Sequence, residues 1–151
     1  IQLPENFNRP YLKPNLTQFW SNWHMTLTNW FRAYFFNPIS RSLRKKKMPA
    51  VAILLITQIS TMVLVGLWHG VTINFVIWGL WHGLGLLIQN RWSGWIKEYF
   101  PPSDKKWIQA LKDSAGTVLT FNYVTLGWIW FVLPDPDLAL DFFKIIFGIE
   151  I

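Results

Sequence analysis

The sequence has no cysteine. Disulfides and thiolate chemistry are therefore excluded, and cysteine usage says nothing about redox compartment. Acidic residues are scarce as well, 8 Asp+Glu against 14 Lys+Arg, for a formal net charge of +6. No charged residue at all occurs from Ala50 through Asn90. A Ser-His-Asp set is absent by inspection, and no carboxylate lies within the long apolar runs. The N-terminus, Ile1-Gln2-Leu3-Pro4-Glu5-Asn6, lacks the basic start and apolar run of a signal peptide. It also lacks an initiator Met, so the sequence reads as a piece of a longer protein.

What is present is apolar and aromatic: 52% hydrophobic and 18% aromatic residues, with 11 Trp among 151 residues. That composition departs from an average soluble domain. About 20 mostly apolar residues suffice to cross a bilayer, and three stretches approach that length, at 50–68, 71–90 and 115–133. The expected class is all-α, with multi-pass transmembrane helices in a cell (plasma or inner) membrane. The basic balance fits cytoplasmic loops and contact with membrane lipid better than nucleic acid, because the cations cluster between the apolar runs.

Residues 1–14 carry Pro4, Pro10 and Pro14 and read as an extended connector. Asn15 has the character of a helix N-cap, with Gln18 in the capping-box place. The helix it starts is expected to run over 16–36 and to stop at Asn37-Pro38. Trp20, Trp23, Leu27, Trp30, Phe31 and Tyr34 form a stripe at helical spacing. Ser21, Asn22, Thr26, Thr28 and Asn29 are too polar for lipid, so an interfacial or re-entrant helix is expected there. Arg41-Ser42-Leu43-Arg44-Lys45-Lys46-Lys47 puts five cations in seven residues, a positive-inside signal with some attraction for anionic lipid. Cations recur over 91–112, where Pro101-Pro102-Ser103-Asp104 separates two amphipathic pieces. Pro134-Asp135-Pro136-Asp137 closes the third span without a cation, and 138–149 is a short apolar helix. The signs place the first two loops in the cytoplasm and the third outside.

Within the apolar region the sequence repeats itself. Gly66-Leu67-Trp68-His69-Gly70 returns identically as Gly79-Leu80-Trp81-His82-Gly83. An ionisable residue in such a run is a functional-site hypothesis by default, although a histidine can equally pack helices together. The flanking glycines permit close approach of backbone or ligand. With both ends of the 50–90 hairpin cytoplasmic, His69 falls near its outer turn and His82 about 18 Å deeper on a regular helix. A neutral imidazole can act as general base toward a hydroxyl, or as a metal or haem ligand. Zinc needs three or four converging ligands, and axial haem ligands normally come from facing helices. His24, His69 and His82 make a thin set for either, so no metal site and no bound cofactor are expected.

These residues also carry a resemblance. Phe19-Trp20-Ser21-Asn22-Trp23-His24-Met25-Thr26-Leu27-Thr28-Asn29-Trp30-Phe31-Arg32 resembles the first signature of membrane-bound O-acyltransferases, in the subgroup of alginate O-acetyltransferase and the teichoic acid D-alanyl transfer protein. Leu3–Tyr11 is similar to the family's lead-in, the two GLWHG segments to its second signature, and Leu126–Phe131 to a later one. The resemblance implies a pore of helices, with a cytoplasmic thioester acyl donor as co-substrate and an extracytoplasmic glycan acceptor. It implies an acyl group, most simply acetyl, passed to polysaccharide hydroxyls, and partner proteins of an acyl-transfer pathway. It makes this sequence the C-terminal portion of the family's fold, His69 the catalytic histidine and His24 a second functional one. Trp68, Asn74 and Arg32 are further substrate-binding candidates, and His82 is expected to be structural, as a buried histidine on a helix usually is. The sequence departs from the family where Ala33 replaces the acidic residue that usually follows the first signature's Arg. The alternative is a non-catalytic transport or scaffold module whose histidines pack helices.

Overall fold

A computed structural model describes residues 3–99 and 104–149, apart from the side chain of Lys97. Every regular element among them is helical. After a 3-10 turn at Pro10–Leu12 come α1 (Leu16–Asn22), α2 (Met25–Phe31), a π turn (Arg32–Phe36) and α3 (Asn37–Lys45). The long helices follow: α4 (Ala50–His69), α5 (Ile73–Tyr99) and α6 (Lys106–Val132), with the short α7 (Pro136–Ile146) last. The Pro101–Ser103 break lies outside the described residues.

Two helices among the described residues, α4 and α6, are long and apolar enough to cross a membrane. The second expected span, at 71–90, is part of the 27-residue α5, which does not reach that apolar level. Asn74, His82 and Gln89 dilute it, and the first two are buried inside the bundle rather than turned outward.

α4 and α5 form the tightest pair. They run antiparallel, and their backbones meet at glycine. A Cβ on Gly66 would strike the Phe75 carbonyl oxygen; one on Gly79 would lie 2.6 Å from both the Met62 carbonyl oxygen and Val63 Cα. Lipid tails are as apolar as leucine, so helices in a membrane gain little by burying leucine against leucine. Small residues that admit close backbone contact do the work instead. Gly79 and Gly83, four residues apart on α5, both face α4 in this way; in the first GLWHG segment Gly66 does so, and Gly70 lies just past the end of α4 against the Phe75 ring. α5 then packs antiparallel to α6 through a reciprocal pair. The Trp81 indole N–H donates to the Tyr123 carbonyl at 3.1 Å, and the Tyr123 hydroxyl donates to the Trp81 carbonyl. The Asn74 amide donates to the Leu133 carbonyl at the far end.

The segment expected as one helix over 16–36 is not one helix. α1 starts as expected, with Asn15 Oδ1 accepting from the Gln18 N–H at 2.9 Å. It ends at Asn22, Trp23 is extended, and His24 adopts the left-handed conformation at φ 45°, ψ 53°. The cause lies in the N-terminal strap. The Asn22 carbonyl accepts from the Asn8 N–H at 3.0 Å, and the Met25 N–H donates to the Asn6 carbonyl at 2.9 Å. Asn6 Oδ1 accepts twice more, from the Thr26 N–H at 3.1 Å and the Thr26 hydroxyl at 2.6 Å. The strap thus supplies partners for backbone groups that the helix break would otherwise orphan.

Nor does the chain stop at Asn37-Pro38. Pro38 has no N–H and crowds the carbonyl four residues before it. The preceding turn widens to π, with the Asn37 N–H donating to the Arg32 carbonyl, and the helix continues to Lys45.

Two outcomes follow. Gly79→Leu should separate α4 from α5, because the obstructing atoms are backbone and cannot rotate away. We expect at least about 2 kcal/mol of destabilisation and loss of the monodisperse peak in size-exclusion chromatography of detergent extracts. Gly94→Leu, where no atom lies within 4 Å of the added Cβ, should leave that peak intact. Asn6→Ala should cost about 1–3 kcal/mol locally, seen as roughly tenfold or faster hydrogen exchange at the Thr26 amide; Asn6→Asp, which keeps the acceptor, should retain protection.

Candidate functional site

Two helix ends carry a histidine. His69 is the last residue of α4 and His24 immediately precedes α2. The two lie within electrostatic range of each other, with the Trp68 indole between them. Its ring centroid is 5.8 Å from that of His24 and 4.8 Å from that of His69. His69 is further enclosed by Phe131 of α6 at 4.9 Å, Trp78 of α5 at 5.8 Å and Phe75 at 6.2 Å. Three long helices therefore position one imidazole, which nonetheless remains exposed on one side.

His24 is held differently. Phe7 of the strap packs on it at 5.8 Å, and its Nδ1 is buried without a hydrogen-bond partner among the described residues. Left-handed backbone is uncommon for a residue with a Cβ and costs roughly 1–2 kcal/mol. The four strap hydrogen bonds around Asn22, Met25 and Thr26 hold it there. Such outliers, held by their surroundings, cluster at functional sites.

His82, the histidine of the second repeat, is elsewhere in character. It is 0% exposed and packs against Trp78 at 4.8 Å, Trp20 at 5.1 Å and Tyr123 at 6.1 Å. Neither ring nitrogen has a hydrogen-bond partner among the described residues. Gly127 of α6 leaves it room: a Cβ there would come within 2.8 Å of His82 Nε2. His69 and His82 share Trp78 as a neighbour, one near each end of the hairpin's aromatic core.

The remaining candidates are distributed. Trp68 lies in the site and is 55% exposed, between the two histidines. Asn74 is buried, with its amide committed to the Leu133 carbonyl, so it ties α5 to the end of α6 beside the site. Arg32 is exposed in the π turn. Sequence reasoning missed Asn6, Phe7 and Phe131. Phe131 falls within the late signature, whereas nothing local marks Asn6 as a clamp. Among the described residues no three His, Cys, Asp or Glu side chains group as metal ligands would.

Charge is polarised along the bundle. The cations of 41–47, Arg91, Lys105, Lys106 and Lys112 gather where α4 begins, α5 ends and α6 begins. The opposite end carries Asp135 and Asp137, just after Leu133. The His24–His69 pair sits at this second end.

Comparison with known proteins agrees with the motifs. Residues 2–124 match the model of the membrane-bound O-acyltransferase family. The chain is 34% identical over 133 residues to the teichoic acid D-alanyltransferase of Bacillus subtilis, covering 87% of this chain and 33% of that protein. It is 30% identical over 150 residues to the peptidoglycan O-acetyltransferase of Helicobacter pylori, covering 99% and 26%. Against the probable alginate O-acetylase AlgI of Pseudomonas aeruginosa it is 32% identical over 144 residues, covering 95% and 25%. The chain thus spans between a quarter and a third of the length of these relatives. With the family model matching residues 2–124, most of its length, the chain belongs to the membrane-bound O-acyltransferase family.

Proposed function

We propose that this chain forms the part of a multi-pass membrane O-acyltransferase that holds its base, and that the full protein esterifies hydroxyls of an extracytoplasmic polysaccharide. The observation that carries the reading is the pairing of His69 with His24 across Trp68, at the end of the bundle opposite the cations. By the positive-inside rule that end faces outward, where a glycan would arrive. α5 is antiparallel to α4 along their glycine contact, so if α4 crosses the bilayer, α5 crosses with it despite its lower apolarity.

In this reading the acyl group, most simply acetyl, comes as a thioester from the cytoplasmic side. A nitrogen of His69 takes the proton of the acceptor hydroxyl as that oxygen bonds to the thioester carbonyl carbon. The C–S bond then breaks, and the leaving thiolate takes up the proton, so ester and free thiol are the products. No protein nucleophile is needed. His24 supports the site as a second polar group aimed from the strained helix start, and Trp68 walls the space between them. The named activities of the relatives, D-alanyl and O-acetyl transfer, agree with this class of reaction. Partner proteins that load the donor belong to the same proposal.

The test is His69→Gln in the full-length polypeptide, in cells, with surface-polysaccharide ester and membrane protein level measured together. Removing a positioned base should lower transfer by about 10²–10⁴-fold at unchanged protein level. Wild-type ester content in that variant would overturn the assignment.

A further inference from the structure

α3 carries one face that the acyl-transfer reading does not use. Pro38, Arg41, Ser42 and Lys45 recur at the spacing of a single helical stripe and together line a surface cavity of about 290 Å³. All four are exposed. Ser40 and Ile39 turn away from it, buried and half-buried respectively. α3 is thus a short amphipathic helix whose solvent face is a cationic notch. Neither Arg41 nor Lys45 has a carboxylate at ion-pair distance among the described residues, where the ion pair present is Lys144–Asp141 on α7.

Its position narrows the ligand. α3 ends at Lys45, and α4, which is apolar enough to cross a membrane, begins at Ala50. Arg91 on α5 and Lys112 on α6 lie toward the same end, and so do the exposed rings of Trp92, Trp95 and Tyr99. Tryptophan and tyrosine with cations at a span's end mark the level of lipid headgroups. A cavity at that level, with an Arg, a Lys and a hydroxyl directed into it, offers three to four donors to the tetrahedral oxygens of a phosphate.

The geometry points to Arg41, Ser42 and Lys45 as a binding site for the phosphate headgroup of an anionic phospholipid. Arg41 supplies a planar fork and Lys45 a point charge one turn on. Bound lipid would fix α3 against the bilayer surface.

The test uses the purified full-length protein, titrated in detergent with phosphatidylglycerol or phosphatidylcholine, with bound lipid counted by native mass spectrometry. Phosphatidylglycerol should bind more tightly than phosphatidylcholine. The double variant Arg41→Gln, Lys45→Gln should weaken it about thirtyfold, from roughly fivefold for each charge lost near the surface. The matched double variant Arg44→Gln, Lys46→Gln, which removes two neighbouring exposed cations outside the cavity, should lose fivefold or less and controls for general surface charge. Equal losses in the two variants, or none in the cavity variant, would overturn the site. Displacement of the lipid by millimolar inorganic phosphate would assign it to a free anion instead. Loss of surface ester by the cavity variant with lipid binding unchanged would assign the stripe to an acidic protein partner, against the proposal.

Discussion

The close approach of α4 and α5 is the constraint on which everything else in this chain rests. Where the Met62 carbonyl would stand 2.6 Å from a Cβ on Gly79, no side chain separates the two backbones. In lipid that contact matters more than apolar area, because the alternative to helix packing is not water but hydrocarbon. The contact also fixes register. With Gly66 beside Phe75 and Gly79 beside Met62, Trp78 must lie between the hairpin and α1, where it touches His69, His82, Trp20 and Trp128. One indole thereby organises both histidines of the repeat.

The two copies of GLWHG show how the end of a helix decides a residue's exposure. Gly66, Gly79 and Gly83 serve helix contact. In the first copy α4 ends at His69, so the imidazole emerges at a helix terminus, facing a space shared with another element. In the second copy the helix continues to Tyr99, and His82 is enclosed by Trp20, Trp78 and Tyr123. Identical pentapeptides give one exposed and one enclosed histidine because α4 stops and α5 does not.

Much of this was readable from the residues. The N-cap at Asn15 is local chemistry, and the apolar stretches of α4 and α6 declare themselves by composition. The family signatures mark His24, Trp68 and His69. What could not be read was tertiary. The break at Trp23–His24 exists because Asn6 and Asn8, from a proline-punctuated strap, take hydrogen bonds that a continuing helix would use itself. Aromatic periodicity ran straight through that break. Pro38 signalled a stop, yet a π turn absorbed it, and propensity rules written for α-helices have no term for that escape. α5 is longer than the 71–90 stretch suggests, and its polar residues are accommodated by packing that no local pattern displays: Asn74 and His82 are buried, and Gln89 accepts from the Thr17 N–H of α1.

A site made from two helix ends has a mechanical consequence. Side chains in the middle of packed helices are fixed by their neighbours on every side, as His82 is. His69 and His24 each keep one side open and are held elsewhere by rings, His69 by Trp68, Phe75, Trp78 and Phe131, His24 by Phe7 and Trp68. Rings hold an imidazole's plane while leaving its nitrogens unengaged, unlike a carboxylate partner, which would occupy one nitrogen. The absence of acidic residues from 50 through 90 and the aromatic enclosure are therefore complementary. Together they present an imidazole that is oriented with its nitrogens unengaged, in keeping with the general base proposed above, which needs one free nitrogen to take a proton. The His24 backbone is turned by the strap's hydrogen bonds to its neighbours and not by a bond to its own side chain, whose Nδ1 is buried without a partner among the described residues.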